Sequence, residues 1–208
     1  MLEYSRQEAL NTLYTNLNLS TSNLNTICVT STNENEGKSF VSMYLMRLFA
    51  EDGKKILLLD ADMRKSRLAR KYDIRSREEF CGLTHYLAGQ KSISDIIYNT
   101  DIPNADMILA GNAPNPVQLL NGQRFGKLMS SLKETYDMVL IDTAPIGIVI
   151  DSAIIAKECD GILFILSYGA TGLAEAQEAK RQLEMTGTPI LGAVLNQVPY
   201  KVNSGYYY

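Results

Sequence analysis

Two short runs, Ile56–Asp60 (ILLLD) and Met138–Asp142 (MVLID), are apolar without interruption, and each stops at an aspartate. Continuous Ile, Leu and Val, rather than alternation with polar residues, is what a strand covered on both faces requires, and sheets covered in that way are parallel ones. Thr26–Ser31 (TICVTS), Ile162–Leu166 (ILFIL) and Ile190–Leu195 (ILGAVL) extend the set, and Met107–Leu109 is a weaker sixth candidate. Segments of helical period lie between them: Ser39–Glu51, Asn121–Glu134 and Leu173–Thr186, the last stopped by Gly187 and Pro189. Ser5–Leu19 carries Leu10, Leu13 and Leu17 on one helical face and predicts an outer helix. Strands alternating with helices predict an α/β fold, a single doubly wound and mostly parallel sheet with helices on both faces. No linker composition or internal repeat divides the chain. The expectation is one domain over residues 1–199, with 1–25 as an outer helical region, followed by a mobile tail over 200–208 (YKVNSGYYY).

The chemistry gathers where such a sheet places its sites. Glu36-Gly37-Lys38-Ser39 follows the strand Thr26–Ser31 and opens a helix, the setting in which a G-K-S tripeptide becomes a phosphate loop. Backbone N–H groups and the positive end of the helix surround an anion, Lys38 reaches the terminal phosphates, and the Ser39 hydroxyl binds Mg²⁺. The loop departs from the usual pattern. Thr32 stands in place of the first glycine, and Asn33-Glu34-Asn35 supplies the interior, with Asn35 expected to hold the turn because asparagine tolerates positive φ. Residues Asn33, Glu34, Asn35, Glu36, Gly37, Lys38, Ser39 and Phe40 are the expected nucleotide contacts. Asp142, followed by Thr-Ala-Pro, occupies the position of a carboxylate that holds Mg²⁺ through water, and Asp60 and Asp62 end another buried strand at its carboxyl side. A metal, a phosphate cradle and a group to orient a nucleophile are what phosphoryl transfer needs.

Composition narrows the alternatives. Apolar residues are 46% and charged residues 21% of 208, which excludes a disordered chain. Twenty basic against 23 acidic residues give a net charge of −3, so nucleic acid is not an expected partner. Cys28, Cys81 and Cys159 are far apart and follow no metal-site spacing; a reducing cytosol is the simpler setting, with Cys28 in strand packing. The opening MLEYSRQEAL lacks the pattern of a signal peptide, and no stretch approaches the roughly 20 apolar residues of a membrane span. The expected location is the cytoplasm, with recruitment to the inner face of the membrane through a partner. The single His85 is expected to be structural, and Arg64, Lys65, Arg67, Arg70, Lys71, Arg75 and Arg77 to form a solvated basic face or, alternatively, contacts with a neighbouring subunit or an anionic partner.

Ser31–Ser39, Ile56–Arg64 and Val139–Pro145 resemble the Walker A, Walker A′ and Walker B motifs of the bacterial tyrosine kinases of capsular and exopolysaccharide synthesis. Gly111-Asn-Ala-Pro114-Asn115-Pro116 with Leu119-Leu120, Asp151-Ser-Ala, Cys159-Asp160-Gly161 and Gly192-Ala-Val-Leu-Asn196 are similar to the same family, so the resemblance spans about residues 5–208. It implies a P-loop NTPase fold and a Mg-ATP-dependent kinase domain over 1–199. Lys38, Asp60, Asp62 and Asp142 would be catalytic, with Ser39, Asp60 and Asp142 in the metal shell and Asp60 or Asp62 activating a tyrosine hydroxyl. Asn196 would touch the adenine side. It also implies a phosphoacceptor cluster at Tyr206, Tyr207 and Tyr208, with Tyr200 nearby, phosphorylated between subunits, and a membrane-anchored polysaccharide chain-length protein whose cytoplasmic tail activates the kinase. Protein tyrosines would be its substrates. One departure bears on assembly. The family's ring-building Glu-x-x-Arg-x-x-Arg keeps Glu8 here, but Asn11 and Tyr14 replace the arginines, which removes charge-assisted bonds across a subunit contact. Two rival readings share the loop: a partitioning or cell-division ATPase, whose signature lysine would stand at Asn33, and a nucleotide-binding scaffold with little kinase activity.

Overall fold

The computed structural model describes residues 2–20, 24–66, 68 and 81–199. Tyr200, Tyr206, Tyr207 and Tyr208, and the basic residues Arg67, Arg70, Lys71, Arg75 and Arg77, lie outside the described residues.

Seven strands form one sheet: β1 (Thr26–Ser31), β2 (Ile56–Asp60), β3 (Ile97–Asn99), β4 (Ala105–Ile108), β5 (Met138–Asp142), β6 (Gly161–Ser167) and β7 (Ile190–Asn196). Their order is β3-β4-β2-β5-β1-β6-β7. Every neighbouring pair is parallel except β3 with β4, which is antiparallel at the edge. Consecutive residues of the central strands enter opposite cores. Ile27, Val29, Leu58 and Leu140 face one side, against Leu45 and Phe49. Cys28, Leu57, Leu59 and Ile141 face the other, against Phe125 and Leu132. Both sets are fully buried, which is why the runs read as unbroken apolar sequence. Each such side chain contributes about 1.5–3 kcal/mol on burial.

Helices α1 (Leu2–Ser20) and α2 (Lys38–Glu51) cover the first face, and α5 (Gln123–Thr135) with the short α6 (Asp151–Ala156) covers the second. The remaining helices are α3 (Leu83–Leu87), α4 (Pro116–Leu120) and α7 (Leu173–Glu184). The expected Asn121–Glu134 helix is preceded by the separate α4, because Gly122 adopts an extended conformation between α4 and α5. Leu17 of α1 is buried in the first core. Tyr14 sets its ring edge-on to Phe49 at 5.0 Å and donates its hydroxyl to Asp52 Oδ2 at 2.6 Å. The position where the family resemblance expects an interface arginine therefore serves contact within the chain. His85 has the structural role expected of it, since its Nδ1 accepts the Gly82 amide at 3.0 Å at the start of α3. Among the described residues no helix is long and apolar enough to cross a membrane.

The register places β5 between β1 and β2, so that Asp142 lies beside both Val29 and Asp60. The carboxyl ends of these three strands converge on one place.

Candidate active site

Between β1 and α2 the chain turns through residues 32–37 with two left-handed positions, Asn35 at φ 67° and Gly37 at φ 98°. Asn35 does hold the turn. Gly37 admits no replacement, since a Cβ there would lie 2.0 Å from Asn196 Nδ2 as well as on a strained backbone. As the residue before α2, Gly37 also has no side chain with which to cap the helix, so the first-turn amides keep their donor capacity for a ligand. The outer half of the loop is shaped by Glu36, 2% exposed. Its Oε2 accepts the amides of Thr32 (2.8 Å) and Asn33 (3.0 Å), and its Oε1 accepts the Thr171 hydroxyl. Asn33 donates its side-chain amide to Glu175 at 3.2 Å, and Glu34 pairs with Lys65 at 2.7 Å.

Lys38 is nearly buried and folds back along the loop, its Nζ donating to Ser31 Oγ at 3.0 Å. Ser39 donates to Asp142. Asp142 is 2% exposed, and its Oδ1 has no hydrogen-bond partner. Burial pushes its carboxyl up to about 6, against the lowering influence of the Ser39 hydroxyl and the Lys38 ammonium. Burial, reinforced by the adjacent Asp142, holds Asp60 well above the usual carboxylate range. Both Asp60 oxygens are engaged, Oδ2 by Ser66 Oγ at 2.5 Å and Oδ1 by the Asp62 amide at 3.1 Å. Asp62 in turn accepts the amides of Arg64 (3.3 Å) and Lys65 (2.9 Å) on its Oδ1.

These groups surround a cavity of about 710 Å³ whose wall includes Gly37, Lys38, Ser39, Phe40, Asp62 and Asp142. Asp60 lies behind that wall, under Asp62. Asn196 stands behind the loop, with its Nδ2 donating to the Glu36 carbonyl at 2.8 Å. Phe40 carries the Arg6 guanidinium over its ring at 5.1 Å. The donor set suits a hard divalent cation. An unpartnered, buried carboxylate oxygen beside a serine hydroxyl offers oxygen ligands only, and few of them, which is the Mg²⁺ pattern because that ion keeps most of its waters.

Two features escaped sequence reasoning. Arg64, expected on a solvated face, instead makes a two-pronged bond to Asp151, Nε to Oδ2 at 2.8 Å and Nη2 to Oδ1 at 3.0 Å. Asp151 is wholly buried, so the pair ties the Asp60–Arg64 segment to the start of α6. The second is Gln197, which reaches the Asn35 carbonyl at 2.7 Å. The Asp-x-Asp-x-Arg and Asp-Ser-Ala segments were visible separately, but nothing in their spacing joined them.

The AAA domain family matches residues 24–183. Tyrosine-protein kinase CpsD of Streptococcus pneumoniae is 39% identical over 198 residues, covering 95% of this chain and 86% of that protein. The solved kinase domain of the Escherichia coli tyrosine kinase ETK is 30% identical with a TM-score of 0.87, covering 97% of this chain and 79% of the other. The septum site-determining protein MinD of Pyrococcus horikoshii, complexed with Mg-ADP, is 23% identical with a TM-score of 0.69, covering 82% and 69%, a likeness of fold alone.

Proposed function

We propose that this chain, which belongs to the bacterial tyrosine kinases of capsular and exopolysaccharide synthesis, transfers the γ-phosphoryl group of Mg-ATP to tyrosine hydroxyls, those of Tyr206, Tyr207 and Tyr208 in a second copy foremost. The observation that carries this reading is the buried, unpartnered Asp142 Oδ1 beside Ser39, in a cavity whose wall also holds Lys38 and Asp62. Ser39 and Asp142 would hold Mg²⁺, which would supply positive charge to offset that of the phosphates. Lys38 exchanges Ser31 for the terminal phosphates. The loop amides and the start of α2 receive the remaining oxygens. Asp62 stands on the wall and takes the phenolic proton as the phenol oxygen bonds to phosphorus and ADP leaves. Asp60, buried behind it, fixes the Asp62 backbone through the Asp62 amide.

The family also supports a place in controlling polysaccharide synthesis or export, with a membrane-anchored activator presenting a cytoplasmic tail. Phosphates added to the tail carry about two negative charges each and would repel one another, loosening any assembly that holds the tail in a neighbour's site.

The test is intact mass and phosphopeptide mapping after incubation of concentrated protein with Mg-ATP, beside Lys38→Met. Phosphate on Tyr206–Tyr208 that vanishes in the variant is the expected result. Steady Lys38-dependent release of free phosphate from unmodified protein would mean an ATPase switch instead. No modification and no turnover, even with an activator's cytoplasmic tail added, would leave a scaffold.

A further inference from the structure

Two consecutive side chains at the end of the last strand grip the phosphate loop from behind. Asn196 Nδ2 donates to the Glu36 carbonyl at 2.8 Å, and Gln197 Nε2 donates to the Asn35 carbonyl at 2.7 Å. The peptides concerned are trans, so each C=O and the N–H of the following residue point in opposite directions. The Asn35 carbonyl shares its peptide with the Glu36 N–H, and the Glu36 carbonyl shares its peptide with the Gly37 N–H. Holding both carbonyls toward β7 therefore turns both N–H groups away from β7. Asn35, Gly37 and Lys38 line the cavity, whereas neither Asn196 nor Gln197 does.

We propose that Asn196 and Gln197 are positioning residues for the phosphate cradle, aiming the Glu36 and Gly37 amides by fixing the carbonyls of the same peptides. The inference deepens the proposed function and rests on its assignment of residues 32–39 to phosphate. Three further observations support it. Ser167 Oγ donates to Gln197 Oε1 at 2.7 Å, which commits the other end of that amide, Nε2, to donating toward the loop. Gln197 itself sits at φ 60°, a conformation unfavourable for a residue with a side chain and kept only where surrounding contacts impose it. Asn35, whose carbonyl Gln197 holds, is itself a left-handed residue of the loop at φ 67°, so the contact falls on the turn that shapes the cradle. This role differs in kind from an adenine contact, since it acts on phosphate whatever base is attached.

That difference sets the experiment. Binding of Mg-ATP and of magnesium tripolyphosphate, a phosphate chain without a base, is measured calorimetrically for wild type, Asn196→Ala and Gln197→Met, with thermal unfolding of each. Gln197 is exposed, so Gln197→Met should fold as wild type and carry the test alone if Asn196→Ala does not. The expected result is that both probes weaken in parallel, by roughly three- to tenfold per lost bond. Tripolyphosphate binding that holds while ATP binding falls would overturn the proposal by placing the side chains on the base. Unchanged affinity for both probes would overturn it as well, as would wild-type protein that binds neither. Wild-type protein that binds both probes but transfers no phosphate would count against the kinase reading alone, because this experiment reads binding only.

Discussion

Asp142 is a carboxylate only 2% exposed, and its chemistry and its stability pull in opposite directions. Its pKa rises from 3.8 to about 6 on folding. A raised carboxyl pKa means that the folded state holds the proton more tightly than the unfolded chain does. The contribution to stability is then most favourable below the ordinary pKa and declines as pH rises through about 6. A shift of about two units amounts to roughly 3 kcal/mol when the group is fully ionised. Asp142→Asn is expected to raise stability at neutral pH by about 1–3 kcal/mol, because the ionised carboxylate carries a burial cost that its attraction to Lys38 and its Ser39 hydrogen bond only partly offset. It should also flatten the stability curve between about pH 4 and 6 and cut phosphoryl transfer more than about 100-fold. Unfolding scans across that range, run beside the transfer assay, check both halves; a variant less stable than wild type at pH 7 would refute the burial argument. At this scale the sequence was legible where chemistry is contiguous. Lys38 and Ser39 are adjacent, and Asp142 closes an apolar run. It was silent where partners lie far apart, as with Arg64 and Asp151, 87 residues from each other, or Glu36 and Thr171, separated by 135.

Elements are joined by polar clamps as well as by packing, and Asp160 is the clearest of these. Its Oδ2 accepts the amides of Asn25 (3.0 Å) and Thr26 (2.9 Å) and the Thr26 hydroxyl (2.9 Å), while Oδ1 accepts Lys133 Nζ at 2.8 Å. The turn before β6 is thereby tied to the start of β1 and to the end of α5. Burial alone would raise the Asp160 pKa, but the donors from Lys133, Asn25 and Thr26 outweigh it and hold the carboxyl below its ordinary value. A depressed pKa gives stability that is present above the ordinary carboxylate range and lost as pH falls through the folded value. Asp160→Asn is expected to cost about 1 kcal/mol at pH 7, a figure kept small because the Lys133 pair is partly exposed. Urea unfolding should show the gap between variant and wild type closing as the pH falls below the ordinary carboxylate range; a gap unchanged by acid would count against the carboxylate. The same physics explains which elements the sequence disclosed. Strands covered on both faces favour apolar residues, so β2, β5 and β6 stood out. β1 carries buried Thr26, Thr30 and Ser31, and β7, read from its apolar run as another covered strand, is an edge strand with Leu195 exposed. β3 has three residues, sits at an edge and pairs antiparallel, so it needs no such run. Helices α3, α4 and α6 are five or six residues long, too short for a helical period to register.

At the scale of the whole molecule, the phosphate loop joins two elements of one core. Ile27 and Val29 of β1 and Val41, Leu45 and Phe49 of α2 pack in the same cluster, on either side of residues 32–37 in the chain. Unfolding of that cluster cannot leave the loop intact, so a ligand held by the loop must stabilise the entire fold rather than a mobile rim. Linkage fixes the size of the effect: at about 100 times its dissociation constant, a ligand that binds only the folded state adds about 2.7 kcal/mol. For a chain of this length that corresponds to an increase in unfolding midpoint of roughly 5–10 °C. Mg-ADP, which cannot be consumed by transfer, is therefore expected to produce such a shift in the wild type and a much smaller one in Lys38→Met. Asp142→Asn separates the two parts of the ligand. Having lost the unpartnered oxygen beside Ser39, it should respond to ADP about equally with and without Mg²⁺, whereas the wild type should gain further from the metal. Scanning calorimetry of the three proteins with ADP, with Mg-ADP and with EDTA distinguishes these outcomes. A Mg²⁺ increment that survives in Asp142→Asn would move the cation to other ligands. An equal ADP shift in Lys38→Met would mean that the Lys38 ammonium does not reach the phosphates at all.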